Sequence, residues 1–99
     1  MPNGTINTAT FRGKRYRIIW RIPKRHKEEG KQDSLGVCES RDSKSPCLCI
    51  QNGQNELENL ATHIHEALHA SLWDLDEAAI QETADDLARF LWRCGYRPM

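Results

Sequence analysis

"ELENLATHIHEALHASLW", residues 56–73, is the stretch on which the fold turns. Leu57, Leu60, Ala61, Ile64, Leu68 and Leu72 recur at the i, i+3, i+4, i+7 spacing of one helix face. That predicts an amphipathic helix of about four turns over 55–73. Asn55 stands where an N-cap belongs, ahead of the acidic first turn Glu56 and Glu58. The same stretch holds His65 and His69 four residues apart with Glu66 between them, an HExxH pattern. Residues four apart lie one above the other on a helix, so both imidazoles can present a nitrogen to one ion. Glu66 sits one step round the helix, near enough to polarise a water at that ion without ligating it.

A catalytic zinc takes three protein ligands and keeps one position open. No histidine follows His69, so the third ligand is expected to be a carboxylate. The candidates are Asp74, Asp76, Glu77, Glu82, Asp85 and Asp86, and a second helix over 77–94 ranks them. Ile80, Ala84, Leu87, Ala88 and Leu91 form its expected buried face, Asp74 or Asp76 its N-cap and Gly95 its C-terminal stop. With the first helix ending near Trp73, His69 lies about 6 Å from the turn and Glu82 about 8 Å into the returning helix. Those levels nearly coincide, which selects Glu82, with Asp86 next. Glu77, in the first turn, is expected to reach less well. His63 falls on another side of the first helix and is expected to be structural or exposed.

Upstream, "FRGKRYRIIWRI", residues 11–22, alternates Tyr16, Ile18 and Trp20 with Arg15, Arg17, Ile19 and Arg21, as a half-buried strand stopped by Pro23 does. "KRHKEEGKQDS", with His26, reads as a solvated loop, and "LGVCES" and "PCLCIQ" as two short strands. "NGQN", residues 52–55, then breaks the pattern. The expected architecture is α+β: a small three-stranded, mostly antiparallel sheet over 11–50, then a helical hairpin, in a single domain over 1–99.

Composition narrows the functional classes. The 99 residues balance to zero net charge, but residues 1–31 hold nine Lys or Arg against two Glu, and residues 32–99 hold five against twelve acids. Basic side chains on the exposed face of the sheet account for the first half, and no nucleic-acid module accompanies them, so no nucleic-acid partner is expected. No apolar run is long enough to span a bilayer and "MPNGTINTATFRGK" lacks a secretory core, so the expectation is a cytoplasmic chain with reduced thiols and no membrane partner. Cys47 and Cys49 are expected on opposite faces of their strand and so not to share a metal.

"HIHEALHASLWDLDEAAIQETADDLARFLWRCGYR", residues 63–97, resembles minimal zinc metallopeptidases of the gluzincin type, in which an HExxH helix is followed by a helix bearing a glutamate ligand. It is also similar to compact metallopeptidase domains of phage and bacterial genomes, including those of the ImmA/IrrE kind. The resemblance implies Zn²⁺ held by His65, His69 and Glu82, with Glu66 as general base in the hydrolysis of a peptide bond. It also implies a protein or peptide substrate lying extended along a strand beside the cleft, for which "PCLCI" is the expected edge because it leads into the helix. The alternative is a zinc-binding interaction or regulatory module with little turnover.

Overall fold

A computed structural model describes residues 6–23, 36–51 and 55–97 of the chain. They form an α+β fold with the order β1 (Thr8–Phe11), β2 (Lys14–Ile19), β3 (Gly36–Cys38), β4 (Cys47–Ile50), α1 (Glu56–Ser71) and α2 (Glu77–Arg93). The sheet has four strands rather than three, in the order β1-β2-β4-β3. It is mixed rather than mostly antiparallel: β1 and β3 run antiparallel to their neighbours, but the central ladder between β2 and β4 is parallel. The loop reading of "KRHKEEGKQDS", His26 included, and that of residues 52–54 lie outside the described residues.

The stretch expected as one strand over 11–22 is broken by a two-residue turn. Phe11 pairs with Lys14, and Arg12 and Gly13 between them have φ of 48° and 83°. Positive φ at both positions is what a tight hairpin following the twist of its strands requires, and Gly13 meets that at little cost. β1 carries two threonines and a single large apolar residue, so its alternation is too faint to announce a strand.

Beyond the turn, the expected alternation of β2 is realised. Tyr16 is buried with Leu48, Ile50 and Ala70, and Ile18 and Trp20 pack on that cluster. Arg15 and Arg17 face out. Ile19 joins a second cluster made by Ile22, Cys47 and Cys49 on the other side of the sheet. Cys47 and Cys49 therefore share a face, correcting the expectation, because side chains two apart on a strand point the same way. Both are fully buried, and Cys38 is half-buried with its thiol pushed up to about 12, first by burial and then by the charge of Glu66. Exposed Cys94 is thus expected to take one equivalent of a maleimide quickly at pH 7.5, while the other three thiols react only on unfolding. Rapid uptake of two or more equivalents by the folded protein would contradict this arrangement.

Both helices are capped as the sequence implies. Glu58 N–H donates to Asn55 Oδ1 at 2.9 Å, and Ala79 N–H donates to Asp76 Oδ1 at 2.7 Å. Gly95 (φ 99°) turns the chain out of α2, with Gly95 N–H donating to Trp92 O and Tyr96 N–H to Leu91 O, the paired bonds of a Schellman ending. α1, however, stops at Ser71 rather than Trp73. Trp73 is taken up instead by two arginines, with Arg12 and Arg41 guanidinium carbons 4.7 and 3.8 Å from its ring centre. Arg12 also donates to the Ser71 carbonyl at 3.2 Å, satisfying one of the open carbonyls at the helix end. On α2, Ile80, Ala84 and Ala88 are buried as expected, but Leu87 is exposed, because α2 packs on α1 and makes no comparable contact with the sheet. None of these helices is long and apolar enough to cross a membrane.

Candidate metal centre

The line of α1 that is most deeply buried is not its leucine stripe. It is Asn59, Thr62, Glu66 and Ala70, at spacings of three and four. α1 lies between the sheet and α2, so its apolar flanks are half-covered from two sides while this partly polar seam runs down the middle. Ala70 packs on Tyr16, Leu48 and Ile50. Glu66, one turn earlier, lies against β3 and is 4% exposed.

β3 admits that carboxylate only because position 36 is glycine. A methyl group at Gly36 would come within 2.5 Å of Glu66 Oε2 and 2.6 Å of its Cγ. The sequence reading passed over Gly36, although a glycine inside a strand is itself a cue that something approaches closely. Glu66 Oε1 is buried without a hydrogen-bond partner among the described residues. Burial, and after it the neighbouring charge of Glu77, pushes the Glu66 carboxyl up to about 8. A cation at the adjacent imidazoles would act in the opposite direction.

His65 and His69 project from the same side of α1, with ring centres 4.8 Å apart and Nε2 atoms 3.1 Å apart. Glu77, the first residue of α2, spans both: Oε1 is 2.8 Å from His65 Nε2 and Oε2 is 2.8 Å from His69 Nε2. Donors about 2.0–2.1 Å from a shared tetrahedral ion would stand roughly 3.3 Å from one another. The observed triangle is close to that size, and the three residues form a group able to hold a metal ion. Two protonated Nε2 atoms facing each other at 3.1 Å would repel, whereas a cation between them takes a lone pair from each.

Glu82 is not part of this group; it is exposed on α2. With α1 ending at Ser71, His69 lies two residues from the end, about 3 Å along the axis, whereas Glu82 is five residues beyond Glu77, about 7.5 Å. The start of α2, not its second turn, faces His69. The other acids have separate places: Asp76 caps α2, Asp86 pairs with Arg89 at 2.6 Å, and Asp85 accepts from Gln81 Nε2 at 3.1 Å on both oxygens. His63 points elsewhere, edge-on to Trp20 at 5.6 Å, and its burial lowers its proton affinity.

Two depressions meet at the centre. One, of about 300 Å³, runs along β3 past His69 and Glu77. The other, of about 440 Å³, continues between the helices as far as Glu58 and Asp85. β4, the expected substrate edge, lies inside the sheet, and β3, an edge strand among the described residues, borders the centre. Comparison with known proteins gives no matching family model, no matching curated protein and no matching solved structure.

Proposed function

We propose that the protein is a zinc-dependent peptidase whose ligands are His65, His69 and Glu77 and whose general base is Glu66. The observation that carries this reading is the position of Glu66: a buried carboxylate with an oxygen that no described residue partners, one residue from a convergent pair of imidazoles. Bound Zn²⁺ would supply Lewis-acid polarisation of a carbonyl and acidify a water molecule. Glu66 accepts the proton of the attacking water and returns it to the leaving amine nitrogen. The wall at Gly36 fixes the direction from which that carboxylate works. β3 offers the substrate an edge for extended pairing, with main-chain bonds providing affinity and little sequence preference.

One observation favours a second reading, a metal-binding interaction module. No Arg, Lys or Tyr lines either depression among the described residues, so no side chain of those types stands ready to stabilise an oxyanion. The readings part at Glu66, since a module that only binds has no use for a base. The peptidase reading is tested by elemental analysis after zinc reconstitution and desalting, with cleavage of an unfolded protein followed in the same samples. One zinc per chain, with cleavage that chelation stops and Zn²⁺ restores, is the expected result. A wild-type protein that retains no zinc overturns it.

A further inference from the structure

Among the described residues, α2 packs on α1 and leaves its outer side uncovered. At 3.6 residues per turn, Thr83, Leu87, Phe90 and Cys94 fall within about 60° of one another on that side. All four are exposed, Leu87 by 40% and Phe90 by 62%. A single exposed apolar side chain is ordinary on a protein surface. Here two large ones adjoin, beside a depression of about 690 Å³ lined by Asp86, Arg89, Phe90, Arg93 and Cys94. Charge is also ordered along the helix. Its acids, Glu77, Glu82, Asp85 and Asp86, all precede its bases, Arg89 and Arg93. The helix dipole favours that polarity only in the first and last turns, whereas Asp85, Asp86 and Arg89 stand in the middle.

We infer that this face of α2 is the contact between two copies of the chain, paired antiparallel about a two-fold axis. A helix whose charge changes sign along its length is complementary to its own reversed copy and repels a parallel one. Setting Leu87 of each copy against Phe90 of the other fixes the register. Thr83 then lies opposite Cys94, so a small side chain stands at each end of the large pair. Glu82, Asp86 and Arg93 fall within about 40° of one another on one flank of the stripe, and the two-fold axis turns that flank towards its equivalent. Arg93 of one copy comes level with Ala84 of the other, midway between Glu82 and Asp86 and about 3 Å along the axis from each. Arg89 comes near its own symmetry mate, where Asp86 of the same chain, 2.6 Å away, offsets its charge. The contact is one helix wide, smaller than a permanent interface, so the pair is reversible. At the low concentrations of thiol labelling the chains are apart and Cys94 is open. No residue of the metal centre takes part, so the contact stands or falls independently of the peptidase reading.

The test is sedimentation equilibrium of the full chain under reducing conditions. Across concentrations of about 5–500 µM the average mass should rise from one chain towards two, with a Kd on the order of 10–100 µM for so small an interface. Phe90→Glu should hold the mass at one chain. Two charge variants decide the orientation: Glu82→Lys combined with Asp86→Lys, and Arg93→Glu. Each alone sets like charges across the axis and should weaken pairing by about tenfold or more. Mixed in equal amounts, the two should associate about as well as the wild type, because every flank then meets the opposite sign. Circular dichroism checks that each variant keeps its helices; if Phe90→Glu does not, the mixing experiment decides alone. A wild-type mass of one chain throughout overturns the contact. So does pairing that survives Phe90→Glu in a folded protein, pairing of either charge variant alone at wild-type strength, or a mixture that stays monomeric.

Discussion

Replacing Glu66 by glutamine is expected to lower peptide cleavage by about 10²–10⁴-fold, the usual contribution of a positioned acid–base group, with one zinc per chain retained. Glutamine keeps the shape of the side chain and takes away the site that receives the proton. Glu77→Ala should do the reverse, removing the metal first and activity as a consequence. A zinc binding energy of roughly 10–16 kcal/mol shared among four positions assigns each ligand about 3 kcal/mol, so affinity should fall on the order of a hundredfold. Glu82→Ala should leave zinc content unchanged, because Glu82 is exposed and lies outside the group. Isothermal titration of the three variants with Zn²⁺, alongside cleavage of an unfolded protein, separates these outcomes. Loss of zinc in the Glu82 variant with retention in the Glu77 variant would return the centre to the assignment made from helix levels. Unchanged cleavage in the Glu66 variant would remove Glu66 as the general base, whereas a wild-type protein that binds zinc and cleaves nothing would leave the interaction module as the surviving reading.

The contrast between Glu77 and Glu82 shows where the sequence stops being legible. Helix existence was written in local patterns: the leucine spacing of α1, Asn55 and Asp76 as caps, Gly95 as the stop. His65, His69 and Glu66 were equally readable, because their geometry depends only on the helix that carries them. Which carboxylate stands beside the two imidazoles depends on the residue at which α1 ends, and that is decided by residues remote in sequence. Arg12 reaches the Ser71 carbonyl from the first hairpin, and Arg41 covers Trp73 from the loop before β4. Two residues of difference at the end of α1 move His69 by about 3 Å relative to the turn, enough to exchange one glutamate for another. The parallel ladder between β2 and β4 was hidden for the same reason, since a strand's own sequence states its faces but not its neighbours. Part of the basic charge near the N-terminus, read as a solvated face, serves in Arg12 as a brace for the helix that holds the site.

Gly36→Ala is the substitution expected to damage the site most without touching a ligand or the base. The added methyl would stand 2.5 Å from Glu66 Oε2, 2.6 Å from Cγ and 2.8 Å from Cδ, closer than non-bonded carbon and oxygen tolerate. β3 is tied to β4 through the pairs Gly36–Ile50, Val37–Cys49 and Cys38–Leu48, so the strand has little freedom to retreat. The carboxylate is what gives way. Its displacement costs about 1–3 kcal/mol as overpacking. A shift of about 1 Å in a catalytic group is worth on the order of 10²-fold in rate, so cleavage should fall by that factor while His65, His69 and Glu77 still hold zinc. A second substitution distinguishes crowding from a general weakening of the edge strand. In a Glu66→Ala background the side chain that meets the new methyl is gone, so adding Gly36→Ala should cost little further stability. Denaturant unfolding of the wild type, both single variants and the double variant measures this as a coupling energy between positions 36 and 66. Additive losses would mean that the glycine is needed by the strand itself, and that the wall behind Glu66 is not what positions it.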